Sequence, residues 1–264
     1  MGYRAPPGEP VFPLVRELSG YLGSRDPELR DNLAYSIIAT WIVDQEQLSA
    51  TELISLLDEW SRNLRVGVGE LGADGVLKRS FSVLCLLVLA ERDLKTAFLG
   101  AARYRTLLAD ALAYLKHEHD LRRFDPTIGW IHATAHTADL LAGLASNPLF
   151  RIKDQGRLLD AISERLSSAQ EVFTYEEQDR LALVAAAIVR RRDFDPAVFY
   201  HWLRALNAAD QQVSKDSPPK LELLQASEND TYMLHGLAVD LCMGPSSPAT
   251  SNALNAVLQV LRAR

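Results

Sequence analysis

Apolar residues return every three to four positions along almost the whole chain, and no stretch shows sustained alternation bounded by turn residues. This pattern predicts an all-α protein. Strongly apolar segments stand out at "LRDNLAYSIIATWIV", "LKRSFSVLCLLVLA", "WIHATAHTADLLAGLA", "DRLALVAAAIVRR" and "TYMLHGLAVDLCM". They begin about 50 residues apart, near the long end of HEAT-like periods, and each is followed by an amphipathic helix such as "TELISLLDEWSRNL" or "RLLDAISERLSS". One hairpin cannot bury its own apolar surface, so such pairs stack. The expected architecture is one domain over residues 1–264, built of HEAT-like helical hairpin repeats in a strongly curved, toroid-like α/α superhelix with the apolar helices as its inner wall. Residues 1–12 read as a flexible N-terminal segment and 206–228 as a long loop.

Helix starts are signposted. "SRDPELRD" puts Pro27 just inside a helix capped by Asp26, and "LSATEL", "FTYEEQ" and "ASENDT" offer Ser or Thr caps followed by acids. Gly72, Gly75, "DPTIG", "SNP" and "GPSSP" break the pattern between helices.

One inner segment is unusual. "GWIHATAHTADLLAGLASNP", residues 129–148, has no Lys, Arg, Glu or Gln but carries two histidines and an aspartate. Read as a helix at about 100° per residue, it groups His132, His136 and Asp139 within roughly 60°, with Trp130, Leu140, Leu141 and Leu144 facing away. A polar stripe without long charged side chains is buried or lines a cavity, and buried polar groups need partners. The opening turns of the other inner segments offer Asp31 with Tyr35, Arg79, Asp179 with Arg180, and Tyr232 with His235; the loop "DLRRFDP" adds Arg122, Arg123 and Phe124.

Three readings of this constellation stay open. It is an inter-repeat hydrogen-bond network that fixes register. Or it is a pocket for a small anionic ligand, with catalysis in prospect: Arg79, Arg180 and Arg122 hold the negative group, His132 or His136 transfers protons, Asp139 or Asp31 orients them, and Tyr35, Trp130 and His235 line the site. Or it is a divalent-metal site on His132, His136 and Asp139, spaced like H-E-x-x-H but without its glutamate. No cofactor other than such a metal is implied. A reading of another class is a non-catalytic α-solenoid scaffold for a protein partner.

Composition narrows the choice. A net charge of -6 and a pI near 5.6 speak against a broad basic surface for nucleic acid. No run approaches the roughly 20 apolar residues of a membrane span. Cys85 and Cys242 lie in apolar runs as expected of buried thiols, with no disulfide framework. The start lacks a secretory apolar run, so cytoplasm is the default, although a trimmed leader would leave no trace. The histidine pair of "KHEHD" reads as solvated at a wet helix end rather than as a metal clamp, "RRRDFD" as a solvated cationic helix C-terminus, and Trp41, Trp60 and Trp202 as packing between layers. No phosphate loop, nucleophile elbow or nucleophilic-cysteine signature is present.

Taken together, "DPELRDNLAYSIIATWI", "LKRSFSVLCLLVLAERD", "YLKHEHDLRRFDPTIGWIHATAHTADLLAGLASNP" and "VFTYEEQDRLA" resemble the bacterial domain of unknown function 2785 over roughly residues 15–205. The resemblance implies that Arg30 and Asp31, Arg79 to Phe81, Gly129, Trp130, His132, His136 and Asp139, and Arg180 to Ala182 act as one constellation. It implies no reaction. At "LRRFDP" the chain departs from the family, with Arg123 where a glycine is expected. Some relatives look exported, which tempers the cytoplasmic default.

Overall fold

The computed structural model describes residues 3–213 and 218–264, and it is helical almost throughout. Two compact units divide it, Met1–Leu149 and Phe150–Arg264.

In the first unit α1 (Val11–Tyr21) is followed by α2, residues 28–44, whose ends are wound wider than an α-helix: Glu28–Tyr35 and Thr40–Asp44 flank a single regular turn, Ser36–Ala39. The Gln45 N–H accordingly reaches back five residues, to the Thr40 carbonyl at 3.0 Å. Asp26 Oδ1 accepts from the Glu28 N–H at 2.9 Å, the cap expected beside Pro27. Helix α3 (Ala50–Asn63) opens with a reciprocal Ser49–Glu52 capping box. Helix α4 (Gly75–Lys95) is buried along nearly its whole circumference, as its all-round apolar sequence requires. It packs against α3 and against α6 (Ala133–Ser146), while α5 (Gly100–His117) covers α6 from another side. Trp60 is fully buried, donating its indole N–H to Ser19 Oγ at 3.1 Å.

The second unit comprises α7 (Gln155–Ser168), α8 (Glu177–Val189), α9 (Pro196–Val213), α10 (Leu221–Met243) and α11 (Pro248–Ala263). Helix α10 is its hub and touches the other four. Its inward residues Met233, Leu234 and Leu237 are completely buried with Leu181, Ala185 and Phe199. Full burial of each large side chain contributes about 1.5 to 3 kcal/mol.

Several expectations change. The long loop over 206–228 is mostly helix: α9 continues to Val213 on "NAADQQV" and α10 already begins at Leu221 on "LELLQASEND", where Ala, Leu, Glu and Gln outnumber the poorer helix formers. Within α10, Ser227 hydrogen-bonds Asp210 of α9, so the start read at "ASENDT" lies in the helix interior. The N-terminal segment is tied down from Tyr3, whose carbonyl accepts from Trp41 Nε1 at 3.0 Å and Gln45 Nε2 at 2.6 Å; Met1 and Gly2 lie outside the described residues. Cys85 is buried, but Cys242 is exposed near the C-terminal end of α10. No helix is long and apolar enough to cross a membrane, among the described residues.

Candidate functional site

The segment that carries the histidines is not helical from its beginning. Phe124–Asp125 (β1) pairs antiparallel with Gly129–Trp130 (β2), and α6 starts only at Ala133. Asp125 closes the turn by accepting the N–H groups of Thr127 at 2.7 Å and Ile128 at 3.0 Å. Gly129 turns at φ +74°, and a Cβ there would lie 2.9 Å from Pro27 Cβ, so only glycine fits. Trp130 is therefore a strand residue, and its assignment to the far side of a helix is corrected.

His132 is the N-cap of α6 and sits in the left-handed region at φ 50°, ψ 33°. This conformation costs a residue with a Cβ about 1 to 2 kcal/mol. It turns the half-buried His132 ring onto Trp130, with centroids 4.5 Å apart and planes at 26°. From there the rings form a continuous series. Phe124 meets Trp130 edge-on at 4.9 Å, His132 meets His136 at 5.8 Å, His136 meets Phe81 at 5.2 Å, and Phe81 meets Tyr35 at 6.4 Å. Its outer end is open, Phe124 being 46% and Trp130 39% exposed, whereas His136 is 9% exposed.

His136 is held in one tautomer. The Ser80 hydroxyl donates to the Ile131 carbonyl at 2.5 Å, so its oxygen accepts from His136 Nδ1 at 2.8 Å. That puts a proton on Nδ1 and makes Nε2 the basic nitrogen of the neutral ring. Tyr35 and Asp139 are half-buried. Burial pushes the Tyr35 hydroxyl well above its ordinary pKa, with Cys85, Glu91 and Asp139 adding to the effect. Burial likewise raises the Glu91 carboxyl, helped by Asp44 and Asp139 and opposed by Lys95.

The arginines are placed otherwise than expected. Arg79 is 1% exposed and donates through Nε to Glu118 at 2.5 Å and through Nη1 to the Val66 carbonyl at 3.1 Å. Arg122 embraces Asp120, with Nη2 to Oδ2 at 2.7 Å, and reaches the Ala73 carbonyl at 2.9 Å. Each charge is already met by a buried carboxylate, so neither is presented as an uncompensated charge. The acids come from "KHEHD", where alternate residues point inward: Glu118 and Asp120 are each 2% exposed, while His117 and His119 are exposed. The histidine pair is solvated as expected, whereas the acids of that segment are buried. Its period-two alternation, directly after a helix stop, was the available signal.

Arg30 was not singled out as a site residue on its own account, yet it organises the region. Its side chain is fully buried, contacts Asp31 at 2.7 Å, and donates to the carbonyls of Ser24 at 2.7 Å, Ile128 at 2.7 Å and Trp130 at 3.1 Å. Its guanidinium lies 4.7 Å over the Phe81 ring. Burial lowers the Arg30 pKa and raises that of Asp31, and their mutual attraction opposes both shifts. Arg30 thus fastens the hairpin that carries Trp130 to α2.

Arg180 and His235 belong to the second unit. Arg180 sits in the first turn of α8, half-buried, with Nη2 3.2 Å from Glu176; His235 is exposed on α10. Among the described residues, no three His, Cys, Asp or Glu side chains converge where a metal ion would sit, so His132, His136 and Asp139 do not form a ligand set.

The fold and site define a helical protein with a histidine-bearing ring series at the start of the buried helix α6. The chain belongs to the family described as "Protein of unknown function (DUF2785)", whose profile matches residues 64–237. That span contains Arg79 to Phe81, Gly129 to Asp139 and Arg180 to Ala182, and begins after Arg30 and Asp31. No curated protein and no solved structure matches the chain.

Proposed function

We propose that the protein binds a small, ring-bearing polar ligand on the open end of the series, stacked on Trp130 beside His132, and that His136 transfers a proton to or from it. The observation that carries this reading is the stacked Trp130–His132 pair, with Trp130 exposed and His132 held in a left-handed conformation that glycine or asparagine would adopt more cheaply. Ser80 supports it by fixing the His136 tautomer, as an orienting partner does for a general base. The neutralised Arg79 and Arg122 favour an uncharged or weakly anionic ligand over a strongly anionic one. The reading assumes helical hairpin repeats that present their inner-helix starts along one edge, the arrangement in which repeat proteins bind ligands.

Fluorescence provides the test, because Trp41, Trp60 and Trp202 are buried and Trp130 alone of the four tryptophans is exposed. Nucleosides, aryl glycosides and p-nitrophenyl esters are titrated into wild type and Trp130→Phe. The expected result is a saturable emission change in wild type that Trp130→Phe abolishes and His132→Ala weakens at least about tenfold, or about 1.4 kcal/mol. No response across the panel, combined with an unfolding loss of about 2 kcal/mol or more in the His132→Ala, His136→Ala double variant, would overturn the reading in favour of a structural network.

A further inference from the structure

The second unit carries a groove of its own. Helices α9 and α11 leave between them a groove of about 560 Å³, lined by Tyr200, Arg204 and Asn207 on one side and by Asn252, Asn255 and Gln259 on the other. The spacing in each set is helical, so each helix turns one stripe toward the groove. Ala256, Val260 and Ala263 add apolar surface. Four carboxamides line the groove and, among the described residues, Arg204 is its one charged side chain and no carboxylate reaches it.

These groups have little to do within the protein. Asn252, Asn255 and Gln259 are exposed, and their side chains make no hydrogen bond among the described residues. Arg204 has no ion-pair partner among them. Asn207 Oδ1 is buried and has no donor among the described residues.

A primary carboxamide offers both a donor and an acceptor, the complement of a peptide unit. From Asn252 to Ala263 the groove runs about 16 Å along α11, enough for roughly five residues of extended chain. We propose that this groove binds an extended polypeptide segment: the exposed carboxamides of Asn252, Asn255 and Gln259 pair with its backbone, and Arg204 selects an acidic side chain. A bare anion would leave the carboxamide rows unused, and a cationic segment would meet Arg204 with no acid to offset it.

The experiment is an NMR titration of the full chain, following the Asn and Gln side-chain amides. The probe is acetyl-Ala-Ala-Glu-Ala-Ala-amide, compared with the same peptide carrying Lys in place of Glu and with maltopentaose. The expected result is saturable shifts of the groove carboxamides with the Glu peptide, which binds about fivefold or more tightly than the Lys peptide. Arg204→Gln should erase that preference, while the Asn252→Ser, Asn255→Ser double variant should weaken both peptides. These positions are exposed, so an unchanged Tm is expected and separates lost binding from lost folding. Absence of peptide-induced shifts would overturn the proposal, as would tighter binding of maltopentaose or a Glu preference that survives in Arg204→Gln. Both titrated helices lie outside the Trp130 region, so either site can fail without the other.

Discussion

At the start of α6 the backbone turns through His132 at φ 50°, and at the start of α8 through Glu176 at φ 69°. The next turn closes alike in both, His136 N–H onto the His132 carbonyl and Arg180 N–H onto the Glu176 carbonyl, each at 2.9 Å. The preceding loops are held by different chemistry. Before α6, the Arg30 guanidinium donates to the carbonyls of Ile128 and Trp130 and brings a charge that Asp31 must balance. Before α8, the neutral carboxamide of Asn229 accepts from the Phe173 N–H at 2.9 Å and donates to the carbonyls of Glu171 at 2.9 Å and Leu166 at 3.3 Å. Gln178 and Glu177 complete that loop by bonding Phe173 and Tyr175. One helix start therefore collects stacked rings and a charged anchor, whereas its counterpart keeps an i,i+4 ion pair at its surface. The left-handed turn belongs to the connection, and the side chains placed on it make the difference.

The strongest way to break this comparison is to remove the anchors. Arg30→Ala leaves Asp31 and the carbonyls of Ser24, Ile128 and Trp130 unmet, and should lower the urea unfolding free energy by about 3 to 5 kcal/mol. Asn229→Ala removes an uncharged group and should cost less, about 1 to 3 kcal/mol. Equal losses would show that charge adds nothing to the anchoring of the α6 loop.

A pH series sharpens the contrast from the second unit. Asp230, buried beside Asp210 and Arg264, has its carboxyl raised to about 7 by burial, with Arg264 opposing and Asp210 assisting. The folded state keeps this proton at pH values where the unfolded chain has already lost it. Stability from this group is thus present in full below the ordinary carboxylate value of 3.8 and is lost as pH rises toward about 7. Asp230→Asn should flatten that part of the Tm-versus-pH curve, and an unchanged slope would assign the effect to other groups.

The smallest effect compares the left-handed positions themselves. Glu176→Gly relieves backbone strain at the expense of a freer unfolded chain, and a net gain of about 0.5 kcal/mol is expected. His132→Gly should gain less or nothing, because it also forfeits the stacking on Trp130. Differential scanning calorimetry on both variants would check the order.

The helices were legible because apolar periodicity dictates which face is buried, and caps such as Ser49 with Glu52 are local. The histidines were found because a segment without long charged side chains stood out among ordinary helices. The route from His132 to Trp130 was hidden, since it depends on Asp125 and Gly129 building a hairpin where the apolar pattern reads as helix. The arginines were recognised as a group, but their partners Glu118 and Asp120 lie 39 residues from Arg79 and two from Arg122, in a stretch that resembles a solvated end. Thr174 in "FTYEEQ" promised a helix cap, yet the chain turns through Glu176 instead, with no side-chain cap bond. The alternation of "KHEHD" marks the two acids as inward-facing, but it does not say which arginine meets Glu118 from 39 residues away.

The wide turns of α2 bear on how this gene can change length. Each i to i+5 turn holds one more residue than a regular α-turn. A single-codon deletion within Glu28–Tyr35 is therefore absorbed by tightening that turn, and the residues beyond keep their facing. The same deletion in α4 has no slack to draw on and rotates every later side chain of the helix by about 100°, carrying Ser80 off Ile131 and His136. The register of α2 thus survives the loss of a residue that the register of α4 does not.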